Sequence, residues 1–154
     1  MRNSLLAALL ISSSFLLAQD DNEVPFAIVE QVPIYKGCNK KLSNIELKKC
    51  MSNGIAKHLV KNFNISVAKD LGLPDGKVKI NIVFKVDKNG KIKDIKATGP
   101  HQKLEEEAFR VINLIPKLTK PGYQKGKPVT VPYMLPLVFN IDNSLYKNNQ
   151  KNKK

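Results

Sequence analysis

Twice in this chain apolar residues fall on every second position. Between Lys77 and Asp87, Val78, Ile80, Ile82, Phe84 and Val86 share one parity, while Lys77, Lys79, Asn81, Lys85 and Asp87 take the other. That is the period-two pattern of a strand with one buried face. The second alternation closes the structured part of the chain, with Val129, Val131, Tyr133, Leu135, Leu137, Phe139 and Ile141 on one parity. Pro132 and Pro136 stand on the opposite parity. Alternate residues of a strand direct their N–H groups to opposite sides, and proline has no N–H to give. Both prolines therefore remove donors from the same side, which predicts an open sheet edge there. Such an edge can accept a strand from a second chain. Thr130, Met134, Val138 and Asn140 would offer N–H groups to it, and the carbonyls of Pro132 and Pro136 would still accept.

Between and before these stretches the spacing turns helical. Ser43-Asn44-Ile45-Glu46 is a capping box, in which the Ser43 hydroxyl and the Glu46 carboxylate satisfy orphan N–H groups. Ile45, Met51, Ile55, Leu59, Val60 and Phe63 then form the expected apolar stripe, with Lys48, Lys49, Lys57 and Lys61 turned outward. Gly54 weakens the middle of this helix, as a close contact or a break would require. Ser66 to Leu71 is predicted to restart a shorter helix, and Gly72 suits its C-terminal cap. Asp87-Lys88-Asn89-Gly90 folds the first strand back as a hairpin, and the returning strand, Lys91 to Thr98, alternates weakly. A second helix follows from about Gln102 to Ile115, with Leu104, Ala108, Val111, Ile112 and Ile115 inward and Pro116 as its stop. Glu105, Glu106 and Glu107 crowd its first turn, where the helix dipole favours them. The order α-β-β-α-β implies an α+β domain over residues 43–142. Its three-stranded antiparallel sheet has order 2-1-3 and is covered on one face by helices.

Residues 1–18 read as a cleavable signal peptide. Arg2 precedes an apolar run from Leu5 to Ala18, too short for the roughly 18 or more apolar residues of a membrane span. Export to the periplasm makes Cys38 and Cys50 a structural disulfide pair, since an oxidising compartment favours an even pair. Residues 19–42, with VPFAIVEQVPIYKGC, are too apolar for a free linker. They are expected to pack as an extended strap, which can lie on the domain's own open edge. Residues 143–154 read as a disordered Lys/Asn-rich tail.

Charge changes this picture little. The formal net charge is +13, which leaves room for weak contacts with anionic lipid or glycan in the envelope. Yet Arg110 is the single arginine beyond residue 18, and the lysines are spread along the whole chain. Nucleic-acid binding lacks aromatic stacking platforms beside basic residues. No catalytic group, cofactor site or metal site emerges. His58 reads as a solvated helix residue, His101 as a capping residue and the three glutamates as a dipole-favoured cap.

The segments GKVKINIVFKVDKNGKIKDIKATG, LEEEAFRVINLIPKL and KPGYQKGKPVTVPYMLPLVF together resemble the C-terminal domain of TonB-family energy transducers. The version common in Bacteroidetes is the nearest likeness. Its specific elements are Gly76-Lys77-Val78, the Asp87–Gly90 turn, Leu104-Glu105 with Glu107-Ala108, and Pro121-Gly122 followed by Gly126-Lys127-Pro128-Val129. The resemblance implies a helix-covered three-stranded sheet whose last strand pairs with the TonB box, an extended segment of outer-membrane receptors. It places partner binding at Thr130, Pro132, Met134, Pro136, Val138 and Asn140. A full transducer of that family also has an N-terminal anchor coupled to ExbB–ExbD and a Pro-rich stem. This sequence departs on both counts, so it is expected to be an exported binding module. The alternatives are a short transducer that keeps residues 5–18 as an anchor, and a Lys-rich envelope adaptor. Leu118 stands where an aromatic residue or methionine is frequent, and Ile65-Ser66 where Tyr-Pro is common.

Overall fold

In the computed structural model, which describes residues 23–69 and 71–144, the two alternating stretches lie side by side. Strand β1 (Gly76–Val86) pairs antiparallel with the closing strand along its whole length, from Gly76 opposite Ile141 to Val86 opposite Val131. The returning strand β2 (Ile92–Thr98) pairs with the other side of β1. The strand with the cleanest alternation is thus the central one, and the closing strand lies at an edge. The α-β-β-α-β order and the sheet order agree with the pattern-based expectation. At the hairpin turn the Asp87 carboxylate accepts from the N–H groups of Asn89 and Lys91, each at 2.8 Å. Burial pushes this carboxyl up, but those two donors and Lys93 outweigh it and hold Asp87 below its ordinary value.

Helices α1 (Asn44–Asn62) and α2 (Gln102–Asn113) cover one face of the sheet. The capping box at Ser43 and Glu46 is formed in both directions. Met51, Ile55 and Leu59 of α1 meet Leu104, Ala108, Val111 and Ile112 of α2 over Ile80, Ile82, Phe84 and Val86. The stripe of α1 differs from expectation at two places. Ile45 and Val60 are 68% and 79% exposed, and Leu47 is buried instead. A helix that also leans on a strap buries a different arc from one that only faces a sheet. Gly54 marks a close approach: a Cβ there would sit 2.5 Å from the Tyr35 ring. The expected short helix after Ser66 is only a 3-10 turn, Ile65–Ala68.

Two groups, His58 read as solvated and Glu107 read as part of a dipole-favoured cap, are integrated into the packing. His58 Nε2 lies 2.9 Å from the Val111 carbonyl oxygen, which ties α1 to α2. Glu107 is buried, accepts from the Asn64 N–H at 2.7 Å, and takes two bonds from Arg110. The Arg110 guanidinium holds its carboxyl below the ordinary carboxylate range against the opposing effect of burial. His101 does cap α2, accepting from the Lys103 N–H.

The sequence pattern did not resolve the segment before the closing strand. A small hairpin forms there from β3 (Gly122–Gln124) and β4 (Lys127–Val129), and the edge strand proper is β5 (Val131–Ile141). Its two turn residues, Lys125 and Gly126, have φ of 49° and 71°, the positive-φ pair that a tight two-residue hairpin needs. Residues 23–38 lie against this hairpin as a strap. Gln31 and Tyr123 exchange both backbone bonds, and Ile34 donates to the Lys120 carbonyl. The Glu30 carboxylate accepts from the Lys125 N–H at the turn. Asn44 clamps the strap by accepting from Val32 N–H and donating to the Val29 carbonyl. Val29, Val32 and Ile34 bury themselves with Leu47, Val129 and Val131 in a second small core. The Cys38–Cys50 disulfide, as expected, fastens the end of the strap to α1.

Candidate interaction edge

One hydrogen bond settles which way β5 faces. The Val24 N–H donates to the Thr130 carbonyl at 2.9 Å, in a parallel bridge between Glu23 and Thr130 outside the three-stranded sheet. Thr130 therefore points away from β1. Met134, Val138, Asn140 and the two prolines share its parity and point the same way. The β1 partners agree with this. Pro132 stands opposite Lys85 and Pro136 opposite Asn81, positions where β1 loses nothing by the missing donors. The chain thus spends its prolines on the side where no ladder exists.

The six residues of this edge do not share one environment. Thr130 is buried under the strap and its carbonyl is engaged. Pro132 is half-buried, while Met134, Pro136, Val138 and Asn140 are exposed. The strap meets the edge only at its beginning. After Pro25 the chain turns, and Phe26 packs edge-on against Tyr133 at 4.8 Å between ring centroids. The Glu23–Lys85 ion pair, 2.6 Å, fixes the end of the strap over the helix-free face. So the strap does not cover Met134 or Val138, as it would if it ran along the edge. A proline followed by a turn diverts it.

From Pro132 to Asn140 the main chain of β5 therefore presents N–H groups at Met134, Val138 and Asn140, and carbonyls at all five outward positions. Met134 and Val138 are 71% and 52% exposed on the helix-free face. On the helix side, Leu135 and Leu137 are half-buried. Ser52 of α1 accepts from the Tyr133 hydroxyl at 2.8 Å, and Phe63 touches Phe139 at 5.7 Å. An added strand would lie between this flank of α1 and solvent, with apolar neighbours on both faces. The strand itself carries no charge from Val131 to Ile141. Lys77 and Lys79 stand one strand inward, opposite Asn140 and Val138, without ion partners among the described residues.

Nothing comparable surrounds the ionisable groups considered as chemistry. Glu105 accepts from the Gly99 N–H, Glu107 is committed to Arg110, and His58 is committed to the helix contact. Among the described residues no three His, Cys, Asp or Glu side chains cluster as metal ligands would. No helix among them is long and apolar enough to cross a membrane. The signal-peptide reading of residues 1–18 lies outside the described residues, as does most of the Lys-rich tail.

The fold is a small α+β sheet with one helix-covered face and a proline-bearing edge strand that is unpaired from Pro132 to Asn140. Comparison adds a family likeness: residues 68–141 match the Gram-negative bacterial TonB protein C-terminal family. No curated protein matches the sequence. Domains of this family are periplasmic, act by protein interaction rather than catalysis, and engage outer-membrane receptors. The match begins at Ala68. It leaves the strap, the disulfide and α1 as features of this chain outside the matched segment.

Proposed function

We propose that this protein is an exported, periplasmic binding module that adds an extended segment of an outer-membrane transport receptor to the free edge of β5. The observation that carries the reading is the unpaired edge from Pro132 to Asn140 in a chain that matches the TonB C-terminal family. Strand addition supplies affinity through main-chain bonds and specificity through alternate side-chain pockets. Here the donors are Met134, Val138 and Asn140. Thr130 contributes only if Val24 is displaced, so the strap sets the near limit of the site. The missing donors at Pro132 and Pro136 leave any partner with an interrupted ladder, which favours a short and reversible contact.

Peptides copying the N-terminal segments of candidate receptors should capture the protein from a periplasmic extract, and the captured chain should have the mass expected for a start at Gln19. A Val138→Pro substitution removes a donor and blocks the ladder, so it should abolish capture while leaving thermal stability within about 0.5 kcal/mol. Capture that ignores this substitution, or no capture at all, would sink the reading.

A further inference from the structure

The sheet has a second edge, and its surroundings are chemically opposite. β2 is outermost on the far side of β1. Thr98 and Lys96 stand opposite Asn81 and Val83, the β1 residues whose N–H and C=O groups face away from β5. Ala97 and Ile95, alternating with them, therefore direct theirs outward, and no backbone partner meets them among the described residues. Beyond Ile95 a bulge at Asp94, with φ of 51°, ends the regular run.

Beside this edge runs an open cleft of about 570 Å³ between β2 and α2. Its apolar floor is Ile95, Ala97 and Phe109, which is 48% exposed, more than any other aromatic among the described residues. Its rim holds Gln102, Glu105 and Glu106. Across a chain with 26 Lys and Arg against 13 Asp and Glu, two adjacent carboxylates bordering an apolar cleft are a local reversal of sign. Lys96 also borders the cleft but shares the parity of Thr98, whose row of side chains lies on the helix-free face. Lys103 flanks the far side of Glu106. Glu105 and Glu106 each accept one hydrogen bond, from the Gly99 N–H and the Gln102 amide, and the second oxygen of each meets no hydrogen-bond donor among the described residues.

We propose that this cleft is a second docking site, for an extended protein segment that adds to β2 with an apolar side chain on Phe109 and a Lys or Arg two residues away at Glu106. The spacing fits. Residues two apart on one face of a strand are roughly 6.8 Å apart. The three to four residues from Phe109 back to Glu106 and Glu105 advance roughly 4.5–6 Å along the helix. The ladder is short, with Ile95 and Ala97 alone supplying outward groups, so the apolar seat and the charge carry the selectivity. This site does not depend on what binds at β5, and its charge preference separates the two edges.

The test uses the full chain and two synthetic probes, acetyl-Thr-Val-Thr-Lys-Thr-amide and the same peptide with Glu in place of Lys. In an amide-shift titration the Lys peptide should perturb Ile95 and Ala97, and the Glu peptide should bind roughly tenfold more weakly or worse. Phe109→Asp and Glu106→Lys should each weaken the Lys peptide by at least about tenfold without moving the thermal midpoint, because both side chains are exposed. Val138→Pro should change nothing. Equal binding of the two probes, no binding, shifts at Met134 and Val138 in place of Ile95 and Ala97, or indifference to both cleft substitutions would overturn the proposal.

Discussion

Single residues decide more here than their types announce. Glu107 belongs to a run of three glutamates that reads as a dipole cap, and the sequence gives no sign that the third turns inward. It is nonetheless the one that joins α2 to the end of α1 through Asn64, Arg110 and the Asn62 carbonyl. Removing it leaves the Asn64 N–H and the half-exposed Arg110 guanidinium without their shared acceptor, so Glu107→Ala should cost about 1–2 kcal/mol at pH 7 in urea unfolding. The pH dependence follows from the sign of its shift. The folded carboxyl lies below its ordinary 4.5, so its stabilisation is complete above that value and is lost as pH falls through the folded one. The gap between wild type and Glu107→Ala should therefore narrow when the same unfolding is measured near pH 3. His58 was equally hidden, because a histidine among lysines looks solvated until the helix opposite offers Val111's carbonyl.

At the scale of elements the two long strands were legible because eleven residues carry enough periods to fix both type and face. β3 and β4, at three residues each, carry too few. Their hairpin is visible only through the turn pair Lys125-Gly126 and through Gly122, where a Cβ would meet Val131 at 2.5 Å. The edges of the sheet are guarded in two ways. The regular run of β2 is cut short by the bulge at Asp94, while β5, uncharged over its full length, relies on Pro132 and Pro136. Parity placed those prolines on the open side from the sequence alone, which is the strongest link between pattern and site in this chain. Replacing both by Thr restores two donors to an exposed apolar edge. The double variant should self-associate, with sedimentation velocity showing a concentration-dependent dimer at protein levels where the wild type stays monomeric.

For the whole molecule, the fold of residues 43–142 was legible, and the way residues 23–42 complete it was not. The apolar segment VPFAIVEQVPIYKGC reads as an extended strap, but Ile28 in it is exposed and the buried residues are Val29, Val32 and Ile34. Their partners come from α1, β4 and β5, so no local period could show them. The disulfide makes this second core part of the domain. Closing the loop from Cys38 to Cys50, 12 residues apart, stabilises by about 3 kcal/mol in the chain-entropy model. A double Cys38→Ser, Cys50→Ser variant should melt roughly 10 °C lower, with its loss greatest in amide protection of residues 29–34. The same crosslink has a mechanical meaning. A pull arriving from the N-terminal side of Glu23 would load the backbone bonds at Val24, Gln31 and Ile34 one after another, as a peel. At Cys38 the load path turns covalent and passes to α1, the helix that lies over the edge strand. Tension could thus strip the strap and widen the exposed edge while leaving the sheet itself unloaded.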